Sequence, residues 1–70
     1  MEIRADLPAV VLAIEVQVGI EVQAGDSLVL LESMKLEIPI EAPRSGRVTA
    51  VHVAAGETVH DGQLLVEISE

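Results

Sequence analysis

The segment Glu-Ser-Met-Lys-Leu-Glu at residues 32–37 holds the only lysine of this 70-residue chain. A lysine that forms Schiff bases or acts as a general base is activated by burial or by neighbouring cations. The charges nearest to Lys35 in the sequence are instead the carboxylates of Glu32 and Glu37, which stabilise an ammonium group. The residue types therefore favour an exposed amine, acylated by another enzyme, over a catalytic lysine.

Two simpler interpretations of Lys35 stay open at this point. It can be a solvated charge in a turn, or half of a surface ion pair with Glu32 or Glu37, which would contribute little to stability. Against both, Met34 and Leu36 bracket the lysine, and apolar side chains at an exposed tip reduce solubility. The second half of the chain has no lysine. These features favour recognition of the segment by a modifying enzyme.

Other reactive groups are few. The chain has no cysteine, so neither disulfides nor a thiolate nucleophile can form, which fits a reducing compartment and leads us to expect a cytoplasmic protein. His52 and His60 lack partners at ligand spacing, and we expect both to be solvated rather than bound to a metal. Arg44 and Arg47 flank a Ser-Gly turn and are expected to face solvent.

The composition argues against several classes of partner. The net charge is −8 and no aromatic residue is present, so the chain would repel phosphate backbones and offer no platform for base stacking. Anionic membrane surfaces are disfavoured for the same reason. No apolar run approaches the roughly 20 residues of a membrane span, and no basic segment precedes the run at 9–14, which argues against a signal peptide. The chain can be a complete small protein or a domain cut from a longer one, and we expect the former.

An internal repeat organises the chain. When the sequence is shifted by 37 residues, the halves align without a gap and ten positions are identical. Gly19 and Gly25, six residues apart, fall on Gly56 and Gly62 in the same register. The identical pairs are Ile3 and Ile40, Ala5 and Ala42, Val11 and Val48, Ala13 and Ala50, Val16 and Val53, Gly19 and Gly56, Val22 and Val59, Gly25 and Gly62, Leu28 and Leu65, and Val29 and Val66.

Each half is predicted to form four short strands, because apolar and polar residues alternate and β-branched residues are frequent. On the strand at 36–41 the apolar residues share one face. On the strand at 64–69 we expect Leu64, Val66 and Ile68 to share a face, opposite Leu65. The alternation changes phase after Val11 and again after its repeat equivalent, which predicts a β-bulge or a strand that moves between sheets.

Glycines and a proline mark further features of these strands. Gly25 and Gly62 begin turns that need positive φ. Pro39 lies inside a strand pattern, which indicates an edge strand because proline cannot donate a ladder hydrogen bond.

Together these features predict an all-β fold, a flattened antiparallel barrel or sandwich of two four-stranded sheets with pseudo-twofold symmetry. We expect one domain over residues 1–70, with half-repeats at about 3–33 and 40–70. Neither half could close a core alone. Lys35 lies at or beside the tip of the hairpin that joins them.

The residues around Lys35 resemble the biotinyl domains of the biotin/lipoyl attachment family. That family commonly has Ala/Ser-Met-Lys-Met/Leu, matched here by Ser-Met-Lys-Leu at 33–36. The later pattern of the family is matched by Ala42, Pro43, Gly46, Val48, Gly56, Val59, Gly62 and Gln63. The resemblance covers essentially the whole chain and is strongest to short, free-standing biotin carboxyl carrier proteins. Ser33 and Leu36 stand where Ala and Met are the commoner residues of the motif, and Ala9 stands where the first half usually has glycine.

The resemblance implies a function and a set of site residues. Lys35 would carry covalently attached biotin, and Met34, Leu36 and Glu32 would be recognised by the biotin protein ligase. The domain would be a non-catalytic, swinging-arm carrier of carboxybiotin between a biotin carboxylase and a carboxyltransferase. Its rigid barrel would contribute effective concentration and geometry.

Two alternative functions remain at this point. A lipoyl carrier of a 2-oxo-acid dehydrogenase complex shares the barrel and the lysine, but it normally has Asp before the lysine and Ala after it, where this chain has Met34 and Leu36. An unmodified interaction barrel is the other. Barrels of that kind in export-complex adaptors are inserted in long chains with helical hairpins, and this chain has none.

Overall fold

The computed structural model describes residues 1–69, which form strands, turns and irregular segments. None of these residues belongs to a helix long and apolar enough to cross a membrane. The strands are β1 (Glu2–Arg4), β2 (Ala9–Ile14), β3 (Glu21–Val22), β4 (Ser27–Ser33), β5 (Leu36–Glu41), β6 (Gly46–Val51), β7 (Thr58–Val59) and β8 (Leu64–Ser69).

Two four-stranded antiparallel sheets make up the fold, which confirms the predicted class. Sheet I has the order β1-β8-β6-β3, and sheet II has the order β5-β4-β2-β7. Exchanging each strand for its equivalent in the other half (β1 with β5, β2 with β6, β3 with β7 and β4 with β8) converts one order into the other, as the repeat requires. Each sheet contains strands from both halves of the chain. The molecule measures 32 × 19 × 17 Å.

A single core of aliphatic side chains fills the space between the sheets. Its members alternate along the strands with outward residues, as the β-branched pattern predicts. No polar or charged side chain is buried among residues 1–69. The fully buried large side chains are Leu28, Leu31, Leu65, Ile68, Val11, Val29, Val48, Val59 and Val66.

The phase change in the two long strands is a β-bulge, one of the two predicted explanations. In β2 the register against β4 shifts between Val11 and Ala13, which leaves Leu12 as the extra residue. In β6 the register against β8 shifts between Val48 and Ala50, which leaves Thr49 as the extra residue. Both bulges therefore occupy equivalent positions of the repeat.

The prediction that Leu65 lies opposite the core face of its strand is wrong. Leu65 is 0% exposed, whereas Leu64 is only half-buried. The register of β1 against β8 pairs Ile3 with Val66 and Arg4 with Leu64, so Leu65 is an extra residue on β8. This irregularity breaks the strict alternation and allows consecutive residues to face inward.

Turns and edges follow the sequence. Gly25 and Gly62 have φ of 93° and 87°, as predicted for their turns. Pro39 lies in β5, an edge strand of sheet II, which confirms its predicted placement.

Ala9 stands at the repeat equivalent of Gly46, yet its φ is not positive. Gly46 is required in the second half for a steric reason, since a Cβ at this position would lie 2.0 Å from the Ser69 carbonyl oxygen.

Candidate functional site

Lys35 lies at the end of the hairpin that joins β4 and β5. The two strands pair without interruption from Val29 and Ile40 to Ser33 and Leu36. Only Met34 and Lys35 remain to form the loop. Their φ values are 53° and 66°, and positive φ at both central residues is the type I′ arrangement favoured in two-residue hairpins. Lys35 therefore lies at the tip of the hairpin, as predicted.

The backbone of this loop is held in an unfavourable region. Left-handed conformations cost non-glycine residues about 1–2 kcal/mol each, and Met34 and Lys35 are the non-glycine residues of positive φ within 1–69. The long β4–β5 ladder fixes the strand ends, and the strands' right-handed twist matches this turn. The ladder therefore imposes one backbone conformation on the loop and holds Lys35 in a defined position.

The side chains at the tip are open to solvent. Met34 is 91% exposed and Leu36 is 66% exposed, and Lys35 is exposed as well. Leu36 shares the inward face of β5 with Ile38 and Ile40, which are half-buried. It nevertheless stays exposed because the hairpin extends beyond the core. Two large apolar side chains thus flank an accessible amine.

The carboxylates of Glu32 and Glu37 form no ion pair with the Lys35 amine. Within residues 1–69 Lys35 has neither an ion pair nor a side-chain hydrogen bond, so the simple interpretation of a Lys35 ion pair with Glu32 or Glu37 is not seen. Glu32 and Glu37 lie directly opposite each other across the two strands. Like charges in this position are mutually unfavourable. The amine therefore projects from an acidic hairpin without a fixed partner.

Other polar candidates lie on sheet I or in loops. His52 Nε2 is 2.7 Å from Glu67 Oε2, and His60 is exposed. Arg47 pairs with Glu21 at 2.7 Å, as expected for a solvent-facing arginine. Among residues 1–69 no three metal-binding side chains come together. An open groove of about 710 Å³ lies beside β3 and β6, and no residue of the Lys35 hairpin lines it.

Comparison with known proteins assigns this fold and hairpin to a family. The family model described as "Biotin-requiring enzyme", of the biotin/lipoyl type, matches residues 2–68. The "Biotinylated protein TB7.3 homolog" of Mycobacterium leprae (strain TN) is 44% identical over 68 residues, which cover 97% of this chain and 96% of that protein.

Large carboxylases contain similar domains. Pyruvate carboxylase of Bacillus subtilis (strain 168) is 40% identical over 68 residues, which make up 97% of this chain but 6% of the enzyme. The crystal structure of Kluyveromyces lactis urea carboxylase superposes with a TM-score of 0.92 at 28% identity, covering 99% of this chain and 6% of that one. The chain thus spans a small part of these enzymes.

The chain belongs to the biotin/lipoyl attachment family. This confirms the predicted family, the carrier class and biotin as the covalently attached cofactor of such domains. The roles of Lys35, Met34, Leu36 and Glu32 stay predictions. The sequence interpretation did not anticipate the positive φ of Met34 and Lys35. The strands predicted at 28–32 and 36–41 leave three residues between them, and neither Met nor Lys favours positive φ, so the sequence carried no clear signal for this conformation.

Proposed function

We propose that this chain is a biotin carboxyl carrier whose biotin is attached to Lys35. One observation carries the proposal: the only lysine of the chain is exposed at the tip of a two-residue hairpin, between two exposed apolar side chains. Met34, Leu36 and Glu32 are proposed as the residues that the biotin protein ligase recognises. Glu32 lies at the end of β4, where a ligase bound to the tip would reach it.

The geometry around Lys35 suits an acylation reaction. Its amine has no fixed partner within the described residues, so no ion pair is broken when a ligase takes it up. The deprotonated nitrogen attacks the carbonyl of an activated biotin, biotinyl-adenylate. AMP leaves, and an amide replaces the ammonium group. The type I′ loop holds the attacking residue at the end of the ladder and limits its backbone freedom before binding.

The carrier role assigns no chemical step to the side chains of this domain. Attached biotin would accept a carboxylate at a biotin carboxylase and release it at a carboxyltransferase. We infer that the hairpin contributes position and effective concentration while the partners supply catalysis. Pyruvate carboxylase of Bacillus subtilis and urea carboxylase of Kluyveromyces lactis contain similar domains, which supports this kind of partner.

Intact mass spectrometry tests the proposal. The chain is co-expressed with a biotin protein ligase, and we expect one biotin-sized increment. Lys35→Arg should abolish the increment and keep the unfolding transition, because the side chain is exposed. A lipoyl-sized increment would identify the lipoyl alternative. An unmodified wild-type chain in the presence of active ligase would contradict the proposal.

The recognition residues are tested by the rate of biotinylation. Met34→Ala and Leu36→Ala should each slow biotin transfer by roughly tenfold, since an apolar anchor at an interface contributes over 1 kcal/mol. Val18→Ala is the matched control, because Val18 is also exposed and apolar but belongs to another loop. Equal rates for all three variants would remove Met34 and Leu36 from the recognition site.

A further inference from the structure

The outward faces of the two sheets differ in polarity, although the repeat places similar aliphatic residues on their core-facing sides. Three outward positions of sheet II are apolar, and the residues 37 positions later, on sheet I, are polar or charged. One of these pairs consists of the two bulge residues, Leu12 and Thr49. The three pairs are Val10 and Arg47, Leu12 and Thr49, and Leu30 and Glu67.

On sheet I these positions form a polar surface whose side chains are hydrogen-bonded to neighbouring groups. Arg47 donates to Glu21 at 2.7 Å, and Glu67 Oε2 lies 2.7 Å from His52 Nε2. Thr49 Oγ1 donates to the Glu67 carbonyl oxygen at 3.2 Å. The outward face of this sheet therefore satisfies its polar groups with one another and with solvent. It shows that apolar residues are not required at these positions of the fold.

On sheet II the equivalent residues form a continuous patch. Val10 and Leu12 are each 38% exposed. Leu12 is the bulge residue beside Leu30, and Leu30 pairs across the strands with the exposed Pro39. Val10, Leu12, Leu30 and Pro39 thus make one apolar surface across β2, β4 and β5, which we call the apolar patch.

Carboxylates border the apolar patch at both ends. Glu32 and Glu37 separate it from the tip of the Lys35 hairpin. At the other end of the sheet Glu41 pairs with Ser27, whose hydroxyl donates to Glu15. Of the described strand residues on this face none is basic. The patch therefore complements a protein surface with an apolar centre and a rim of lysine or arginine side chains.

The same charges argue against a second copy of this chain as the occupant. A twofold interface places the same patch on both partners. The four bordering carboxylates of each copy would then approach the four of the other. Because the whole chain already carries −8, such a contact would be electrostatically unfavourable.

We propose that the apolar patch docks the carrier onto the biotin carboxylase that receives its biotinylated hairpin. The inference rests on the proposed function. The apolar patch lies on the same sheet as the Lys35 tip, beyond the Glu32 and Glu37 pair, so one partner can engage both. Acylation of the sole lysine removes its positive charge and takes the net charge from −8 to −9. The biotinylated form therefore fits a basic-rimmed surface better than the unmodified form that the ligase takes up.

Two matched alanine triples test the proposal on the biotinylated full chain. V10A/L12A/L30A truncates three of the four side chains of the apolar patch, and R47A/T49A/E67A places alanine at the repeat-equivalent positions of sheet I. The biotin carboxylase of the same organism is the probe, and its ATP-dependent carboxylation is measured with the carrier as the varied substrate. We expect the patch triple to raise the carrier KM by about tenfold or more. The sheet I triple should leave KM within about twofold.

Controls separate this proposal from the proposed function and from other occupants. Intact mass before the assay establishes biotin on Lys35, so a failure there is a failure of the function and not of the patch. If the triple melts below the assay temperature, Leu12→Thr replaces it, because threonine occupies the equivalent bulge position. We expect that variant to raise KM by about threefold.

Three results would overturn the docking assignment. One is an unchanged KM for a fully biotinylated patch variant. Another is slower biotinylation with unchanged carboxylation, which would make the ligase the occupant. The third is a wild-type dimer that the patch triple converts to a monomer in analytical ultracentrifugation, which would make a second copy the occupant.

Discussion

At the scale of single residues, the Lys35 hairpin combines two unfavourable local features. Met34 and Lys35 occupy positive φ without being glycine or asparagine, and Glu32 faces Glu37 across the ladder. Neither feature improves the stability of the hairpin. Both lie at or next to Lys35, the residue proposed to be modified, where side-chain identity would serve recognition. A substitution that removes either feature should therefore change the free energy of unfolding, which can be measured separately from biotinylation.

Met34→Gly should stabilise the fold. Glycine tolerates φ near 53° without steric cost, and the exposed Met34 side chain has no core contacts to lose. After allowance for the greater freedom of the unfolded chain, we expect a gain of about 0.5–1 kcal/mol in the free energy of unfolding, measured by urea denaturation. Ala24→Gly is the control: Ala24 lacks positive φ, so glycine there should destabilise. The same sign for both variants would refute the strain at Met34.

Glu37→Gln should relieve the repulsion between Glu37 and Glu32. We expect a gain of about 0.2–1 kcal/mol in the free energy of unfolding at low salt, shrinking near 1 M salt because exposed charges are screened. Glu41→Gln is the matched control on the same strand, since Glu41 faces the neutral Ser27. An equal gain from both variants would show that only the net charge matters.

At the scale of strands and turns, much of the architecture could be predicted. The repeat and the alternation predicted the eight strands, and the shared phase change after Val11 and Val48 predicted either bulges or strands that move between sheets, of which the bulges are observed. The burial of Leu65 could not be predicted, because strict alternation puts it outside and a second irregularity against β1 turns it inward. The positive φ of Met34 was equally hidden, since its residue type does not favour that conformation.

Gly46→Ala should be strongly destabilising for a reason specific to β6. A Cβ there would meet Ser69 O at 2.0 Å and Ile68 Cγ2 at 2.5 Å, so β6 and β8 would have to separate. We expect a loss of about 2–3 kcal/mol in urea denaturation. Gly19→Ala is the control, because a Cβ there meets nothing within 4 Å and its φ of 97° brings only backbone strain, about 1 kcal/mol. Equal losses would contradict the steric explanation.

At the scale of the whole molecule, the two halves are interlocked. Sheet I takes β1 and β3 from the first half and β6 and β8 from the second, and sheet II does the reverse. Loop hydrogen bonds cross between halves in equivalent pairs, such as Gly19 N to Val48 O and Gly56 N to Val11 O. A rigid carrier follows from this arrangement, because neither half can open without disrupting ladders of the other.

This interlocking predicts that one core substitution weakens both halves equally. Leu28 is 0% exposed, and Leu28→Ala should cost about 2–5 kcal/mol of a total stability of about 4–10 kcal/mol expected for this length. In native-state hydrogen exchange the slowest amides of β4 and of β8 should accelerate by the same factor, at least about 30-fold. Val18→Ala, in an exposed loop, should leave both sets unchanged. If β8 amides kept their protection while β4 amides lost theirs, the halves would unfold independently and the pseudo-twofold barrel would not be a single cooperative unit.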